Sequence, residues 1–207
     1  MPVLAGCSGG DEDVGAVEDL MREHGVLRRA ILVFRESASR MRASQAVDAQ
    51  AIKKTAQLFR EFGEDYHEKK LEEENIFPVL RKTGGEAGAM ADVLVAQHNR
   101  GREIITYVLG ATGGATIVDL GMAAALEAFE RMYAHHAAQE DTVVFPAWKK
   151  AIGERAVGEM GEKFEDIEKK QFGGDGFDMA VKRIGDIEQT LGLADLAQFT
   201  APMPART

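Results

Sequence analysis

The stretch LEAFERMYAHHAAQEDTVVFP, residues 126–146, decides how the chain folds. Leu126, Phe129, Tyr133 and Val144 recur at helical spacing and form one apolar stripe. His136 follows Tyr133 by three and Phe129 by seven, so it points the same way as the stripe. Glu140 stands four residues on, one turn along that face. An imidazole and a carboxylate on the buried side of a long helix are costly unless something inside pairs with them. The closing Phe145-Pro146 implies a bend, because proline inside a helix costs about 3 kcal/mol.

Working outward, the same periodicity extends over 116–152 and recurs three times before it. A helix over 14–42 carries Val17, Leu20, Met21, Leu27, Ile31 and Phe34, with Asp11 or Asp13 as its cap. A helix over 48–81 carries Ile52, Phe59, Phe62 and Tyr66, and one over 89–109 carries Leu94, Ile105 and Leu109. Ser44-Gln45, Thr83-Gly84-Gly85 and the run from Gly110 to Gly114 separate them. No strand-length alternation competes. Short turns make sequential helices antiparallel neighbours, so the expected fold is all-α: an up-down-up-down four-helix bundle over 14–152. The weaker helices 154–170 and 177–191, split by Gly173-Gly174-Asp175-Gly176, form a C-terminal helical extension over 153–207 that covers the bundle. Its last residues, from Phe199, are expected as irregular surface chain.

The chain has 207 residues and a formal net charge of -9, with 45% hydrophobic and 29% charged residues. The acidic balance excludes nucleic acid as the expected partner, since phosphate binding needs a basic face. No window approaches the roughly 18–20 apolar residues of a membrane span. The single cysteine, Cys7, excludes an internal disulfide framework and a cysteine-type zinc site. Leu4-Ala5-Gly6-Cys7 resembles a bacterial lipobox, and residues 1–13 read as a flexible tether behind it. A lipid anchor at Cys7, and a periplasmic or membrane-tethered location, follow if a signal peptide precedes residue 1. Otherwise the expectation is cytoplasmic.

Every bundle helix carries histidine: His24, His67, His98, and the pair His135-His136. His24 continues the stripe of Leu20, and His98 that of Leu94. Their distances from the helix ends, about 9 to 16 residues at about 1.5 Å each, bring them to one depth when antiparallel rods pack. Glu140 and a carboxylate of helix two fall at the same level. A single such histidine reads as a core residue with a hydrogen-bonded neighbour; imidazoles from four rods at one depth read as a metal site. Nitrogen and oxygen donors without thiolate suit iron, manganese or zinc. The donor set is too large for one tetrahedral zinc, and two carboxylate-bridged ions fit better.

Glu23-His24-Gly25, Tyr66-His67-Glu68 with Glu72-Glu73 and Phe77-Pro78, Gln97-His98, and His136-Ala137-Ala138-Gln139-Glu140 with Phe145-Pro146 together resemble the hemerythrin-like, HHE cation-binding family. The likeness covers 14–152. It implies a non-haem di-iron centre, two iron ions with an oxo or hydroxo bridge, for which manganese or zinc could substitute. Carried over by position, His24, His67, His98 and His136 are the imidazole ligands, and Glu72 and Glu140 the bridging carboxylates. His67 and Glu72 are five residues apart, about 140° on an ideal helix. A π-type widening or a bend is therefore needed there, or Glu68 or Glu73 replaces Glu72. Oxygen-carrying members have a second histidine one turn from the helix-three ligand. Leu94 and Arg102 stand at those positions here, leaving one ion open or water-filled. His135 reads as a surface or outer histidine.

Two functions follow from the resemblance. One is binding or sensing of dioxygen or redox state. The other is di-iron enzymology on peroxide, dioxygen or nitric oxide. The implied partners are accordingly dioxygen or another small diatomic or peroxide ligand.

Overall fold

Helical rods, interrupted once by a two-residue ladder, make up the protein, whose computed structural model describes residues 14–204. Rod one is α1 (Ala16–Arg42). Rod two runs without a break through α2 (Ala49–Leu58), the widened π1 (Phe59–Ile76) and α3 (Phe77–Thr83). Rod three is α4 (Gly85–Ala111). Rod four joins α5 (Leu120–Gln139), π2 (Glu140–Val144) and α6 (Phe145–Ile152). The helices α7 (Glu154–Phe172) and α8 (Gly176–Leu191) follow, then a short turn of helix over Leu196–Phe199.

Local chemistry sets the ends. Asp48 Oδ1 accepts from the amides of Gln50 (2.7 Å) and Ala51 (2.9 Å), which starts rod two where the sequence places it. Rod four starts at Leu120, later than the expected 116. Thr116-Ile117 are drawn into an antiparallel ladder with Val47-Asp48, and Asp119 then caps Gly121 and Met122. That ladder corrects the strand-free expectation. Its pairing clips the loop before rod two to the loop before rod four. Rod three begins at Gly85 rather than 89, because Gly84 and Gly85 (φ 75° and 71°) turn the chain at once. It ends at Ala111 rather than 109, and Thr112 Oγ1 donates back to the Val108 carbonyl (2.9 Å). Rod one has Gly15 at its cap position and no side-chain cap; Asp11, Asp13 and Cys7 lie outside the described residues.

Rod one lies against rods two and four, and rod three against the same two. The stripes meet between them, with one correction: Met21 is 36% exposed and stands outside the core. Phe129 joins the layers, its ring 5.5 Å from Phe34, 4.8 Å from Phe59 and 4.5 Å from Tyr133. Neither Phe-Pro pair stops its helix. Pro78 and Pro146 fall in the first turn after a widened segment, where the register has just changed and a missing N–H costs little.

Trp148 stacks on Phe164 and fastens α7 to rod four. α8 lies on α1 and α2, held by the forked Arg29–Glu188 pair (2.9 and 2.5 Å) and by Arg183–Glu61 (2.6 Å). No helix among the described residues is long and apolar enough to cross a membrane.

Candidate metal centre

The widening of rod two places the first pair of donors. In a π-helix residues five apart sit one above the other, and His67 and Glu72 both lie in π1. Their Nε2 and Oε1 atoms are 3.3 Å apart. The other oxygen of Glu72 lies 3.3 Å from His98 Nε2 on rod three. On rod four, Glu140 Oε2 is 3.0 Å from His136 Nε2, and it also lies 3.5 Å from His24 Nε2 on rod one. The imidazoles meet in two pairs: His24 and His67 with Nε2 atoms 3.0 Å apart, His98 and His136 with theirs 3.1 Å apart. Each carboxylate thus spans one member of each pair. All six side chains named from the sequence come together, none more than 4% exposed.

The alternatives on rod two have other partners. Glu68 is buried, but it accepts from the Tyr133 hydroxyl (2.6 Å) and from Arg102 (3.2 Å). Glu73 sits on the far side of His98, where its Oε1 accepts from Nδ1 (3.1 Å). His135 is exposed.

Sequence reasoning assigned no role to the groups that aim the rings. His24 Nδ1 donates to Asp141 (2.7 Å), His67 Nδ1 to Glu23, and His136 Nδ1 to the Gln97 side-chain oxygen (2.8 Å). With Glu73 on His98, every ring has an outer acceptor. Each of these groups adjoins a donor residue in sequence: Glu23 precedes His24, Gln97 precedes His98, Glu73 follows Glu72 and Asp141 follows Glu140. About 100° round the helix from its neighbour, each reaches the ring of another rod. That adjacency was the available signal.

The outer acceptors decide the protonation of the rings. Carboxylates and an amide oxygen only accept, so each Nδ1 carries its proton outward and leaves Nε2 to face inward, a lone pair wherever no second proton sits. Four inward lone pairs would then face one another at 3.0–3.1 Å beside two carboxylates. All four oxygens of Glu72 and Glu140 lack a hydrogen-bond partner among the described residues. Positive charge between them is the missing component. The titration behaviour agrees. Burial disfavours charge on His98, yet Glu68 and Glu72 push it up to about 10. Burial likewise disfavours charge on Glu72, but His67 pulls it well below the usual carboxylate range. A cation suits the spacing: two donors about 2.1 Å from one ion and at right angles lie about 3 Å apart. Nitrogen and carboxylate donors without thiolate fit iron, manganese or zinc.

A cavity of about 10 Å³, room for roughly one water, borders His24, His67 and His136 together with Tyr133 and Glu68. Tyr133 reaches it over Gly101, where a β-carbon would lie 2.2 Å from its hydroxyl. Behind Glu68 is Glu64, fully buried, its Oε2 paired with Arg60 Nε at 2.7 Å and its Oε1 without a hydrogen-bond partner among the described residues. Burial first, then the Glu68 charge, push Glu64 up to about 8 from 4.5. Between those pH values the folded chain holds a proton that the unfolded chain releases, so stability falls as pH rises through the window. Glu64→Gln should remove that loss. Its stability should match the wild type near pH 4.5 and exceed it increasingly toward pH 8, by on the order of 3 kcal/mol at pH 7. Parallel melting curves at all pH values would show that Glu64 ionises freely in the folded chain.

Residues 15–148 match the sequence model of the hemerythrin HHE cation binding domain. Over 191 residues the chain is 44% identical to an uncharacterized protein of Mycobacterium tuberculosis (strain H37Rv), covering 90% of this chain and 74% of that protein. An uncharacterized protein of Mycobacterium bovis matches to the same extent. No solved structure matches significantly.

Proposed function

This chain belongs to the hemerythrin HHE cation-binding family, and we propose that it holds two iron ions between four antiparallel rods and binds or senses dioxygen or redox state through them. His24 and His67 would hold one ion and His98 and His136 the other, with the Glu72 and Glu140 carboxylates supplying negative charge to both. The observation that carries this reading is the pair of facing Nε2 contacts, each ring anchored outward by Nδ1, with the two unpartnered carboxylates spanning them. Iron bound there supplies reversible one-electron chemistry and an affinity for small diatomic ligands.

The chain's own residues limit what can approach. Phe145 stacks on His24 and Phe77 on His98, at 5.4 and 5.7 Å between ring centroids, which keeps bulk water from two imidazole edges. The small cavity has room for about one water-sized group, which restricts what can approach to the smallest molecules. Tyr133 is kept protonated by burial and then by Glu68, so its hydroxyl stays a donor at that cavity's edge. The Tyr133–Glu68 pair at that edge favours a second reading, in which the protein turns over peroxide, dioxygen or nitric oxide and the Tyr133 hydroxyl turns from Glu68 to the bound molecule.

Metal content and the optical spectrum of protein purified without added metal test both readings. Two iron ions per chain and a colour change that reverses over repeated oxygenation support the sensor. Multiple-turnover loss of peroxide or nitric oxide supports the enzyme. Protein with neither iron nor manganese or zinc contradicts both.

A further inference from the structure

Resting on the metal reading above, we infer that the cation reaches the buried centre through the acidic cavity that α7 and α8 build over the start of α1, passing Asp19 and Glu168 and then Glu23. The outer acceptor of each ring is a polar step between solvent and the interior, and the four steps differ. Asp141, at His24, is closed by the guanidinium of Arg28. Glu73, at His98, is closed by Arg102 (2.8 Å) and Lys69 (3.0 Å). Gln97, at His136, carries no charge. Glu23, at His67, is fully buried, has no arginine or lysine partner among the described residues, and its Oε1 makes no hydrogen bond among them.

One turn before Glu23 on the same face of α1 stands Asp19, which lines a cavity of about 850 Å³ with Glu165, Glu168 and Asp175. Two bases share that lining, and both are engaged. Lys169 bonds Glu165 (2.8 Å), and Arg22 lies over the Phe177 ring (4.2 Å) with Asp19 at 3.4 Å. Glu168 and Asp175 accept only from backbone amides, those of Phe177 and Asp178 (2.8 Å each). The lining therefore has acidic excess, and one helical turn beyond Asp19 stands the buried Glu23 carboxyl, whose Oε1 makes no hydrogen bond among the described residues. Glu23 lies near enough to act on both rim acids: burial and then Glu23 push Asp19 up to about 6, while burial and the Glu23 charge hold Glu168 at about 7. Negative charge in a cleft with low-dielectric walls concentrates cations and speeds their capture. The route also gives α7 and α8, which lie outside the matched family region, a part in building the centre.

The test is the rate of cobalt(II) uptake by the full chain after chelator treatment, read by stopped-flow absorbance, with final metal content measured by elemental analysis. Asp19→Asn combined with Glu168→Gln preserves shape and removes half-buried like charge. It should load about tenfold more slowly and reach the wild-type content. Glu86→Gln with Asp92→Asn, the same charge change on exposed α4 positions, should load within about twofold of wild type. Glu168→Lys should slow uptake further, as Arg28 and Arg102 close the other steps. Equal rates for wild type and the Asp19/Glu168 double variant would overturn the route. So would a lower final content, which would make these carboxylates holders of the ion. A wild type that takes up no cobalt would instead overturn the metal reading itself.

Discussion

Glu140→Ala protein should leave purification with no more than about half the wild-type metal, and His136→Ala should do the same. Among the described residues, Glu140 is the only carboxylate within reach of both His24 and His136, at 3.5 and 3.0 Å. Its removal strips one donor from each half of the site and leaves the imidazole lone pairs of two rods facing without a counter-charge. Glu72→Ala should act equally, because Glu72 spans His67 and His98. The outer acceptors come next: Glu23→Gln and Gln97→Leu should weaken binding about 10- to 100-fold, the usual cost of freeing a ligand's orientation. His135→Ala and Glu74→Ala, both exposed, should retain full metal. Elemental analysis of the set decides the matter. Full occupancy in both Glu140→Ala and His136→Ala would remove the ligand assignment.

Arg102→Ala should destabilise the fold by about 3 kcal/mol, a fall of roughly 6–12 °C in melting temperature for a chain of this size. Its guanidinium reaches Glu68 (3.2 Å), Glu73 (2.8 Å) and the Glu64 carbonyl (3.4 Å), on a wall where Glu64 and Glu68 are buried together. Without it, Glu68 retains only the Tyr133 hydroxyl among hydrogen-bond donors of the described residues. Arg102→Lys should recover only part of the loss, since all three contacts come from one nitrogen of a planar guanidinium, whose placement a flexible ammonium does not reproduce. Glu68→Gln placed in the Arg102→Ala background should recover more, because it removes the orphaned charge. Urea unfolding measures all four chains. A change below about 0.5 kcal/mol in Arg102→Ala would show the carboxylates to be solvated or neutral without it. The stabilising part of Glu73 has its own pH signature. Burial would raise Glu73, but hydrogen bonds from His98, Arg102 and Lys69 hold it at about 2, so its contribution is full above 4.5 and is lost as pH falls toward 2.

Arg102 also shows where a linear reading stops. It occupies the position at which a second helix-three histidine was sought, and the sequence could say only that no imidazole stands there. The packed structure makes it the counter-charge of a carboxylate cluster on rod two. Met21 likewise fitted the stripe of rod one by spacing, yet stands partly in solvent, because the stripe is wider than the groove it fills. The Thr116-Ile117 ladder had no alternation to announce it. Two residues pair because the preceding turns bring the loops together.

Periodicity, glycine-rich breaks and residue chemistry determined by themselves the helical rods, the inward histidines and the five-residue step that left a widened helix, a bend or another carboxylate as the choices, since all of these depend on spacing along one chain. Only the tertiary structure decided which carboxylate of the Glu68, Glu72 and Glu73 set turns inward, which outer group aims each ring, and where acidic excess remains unneutralised. Those are relations between side chains on different rods, fixed by interaxial packing and by competition for the available arginines, and no spacing within a single helix contains them.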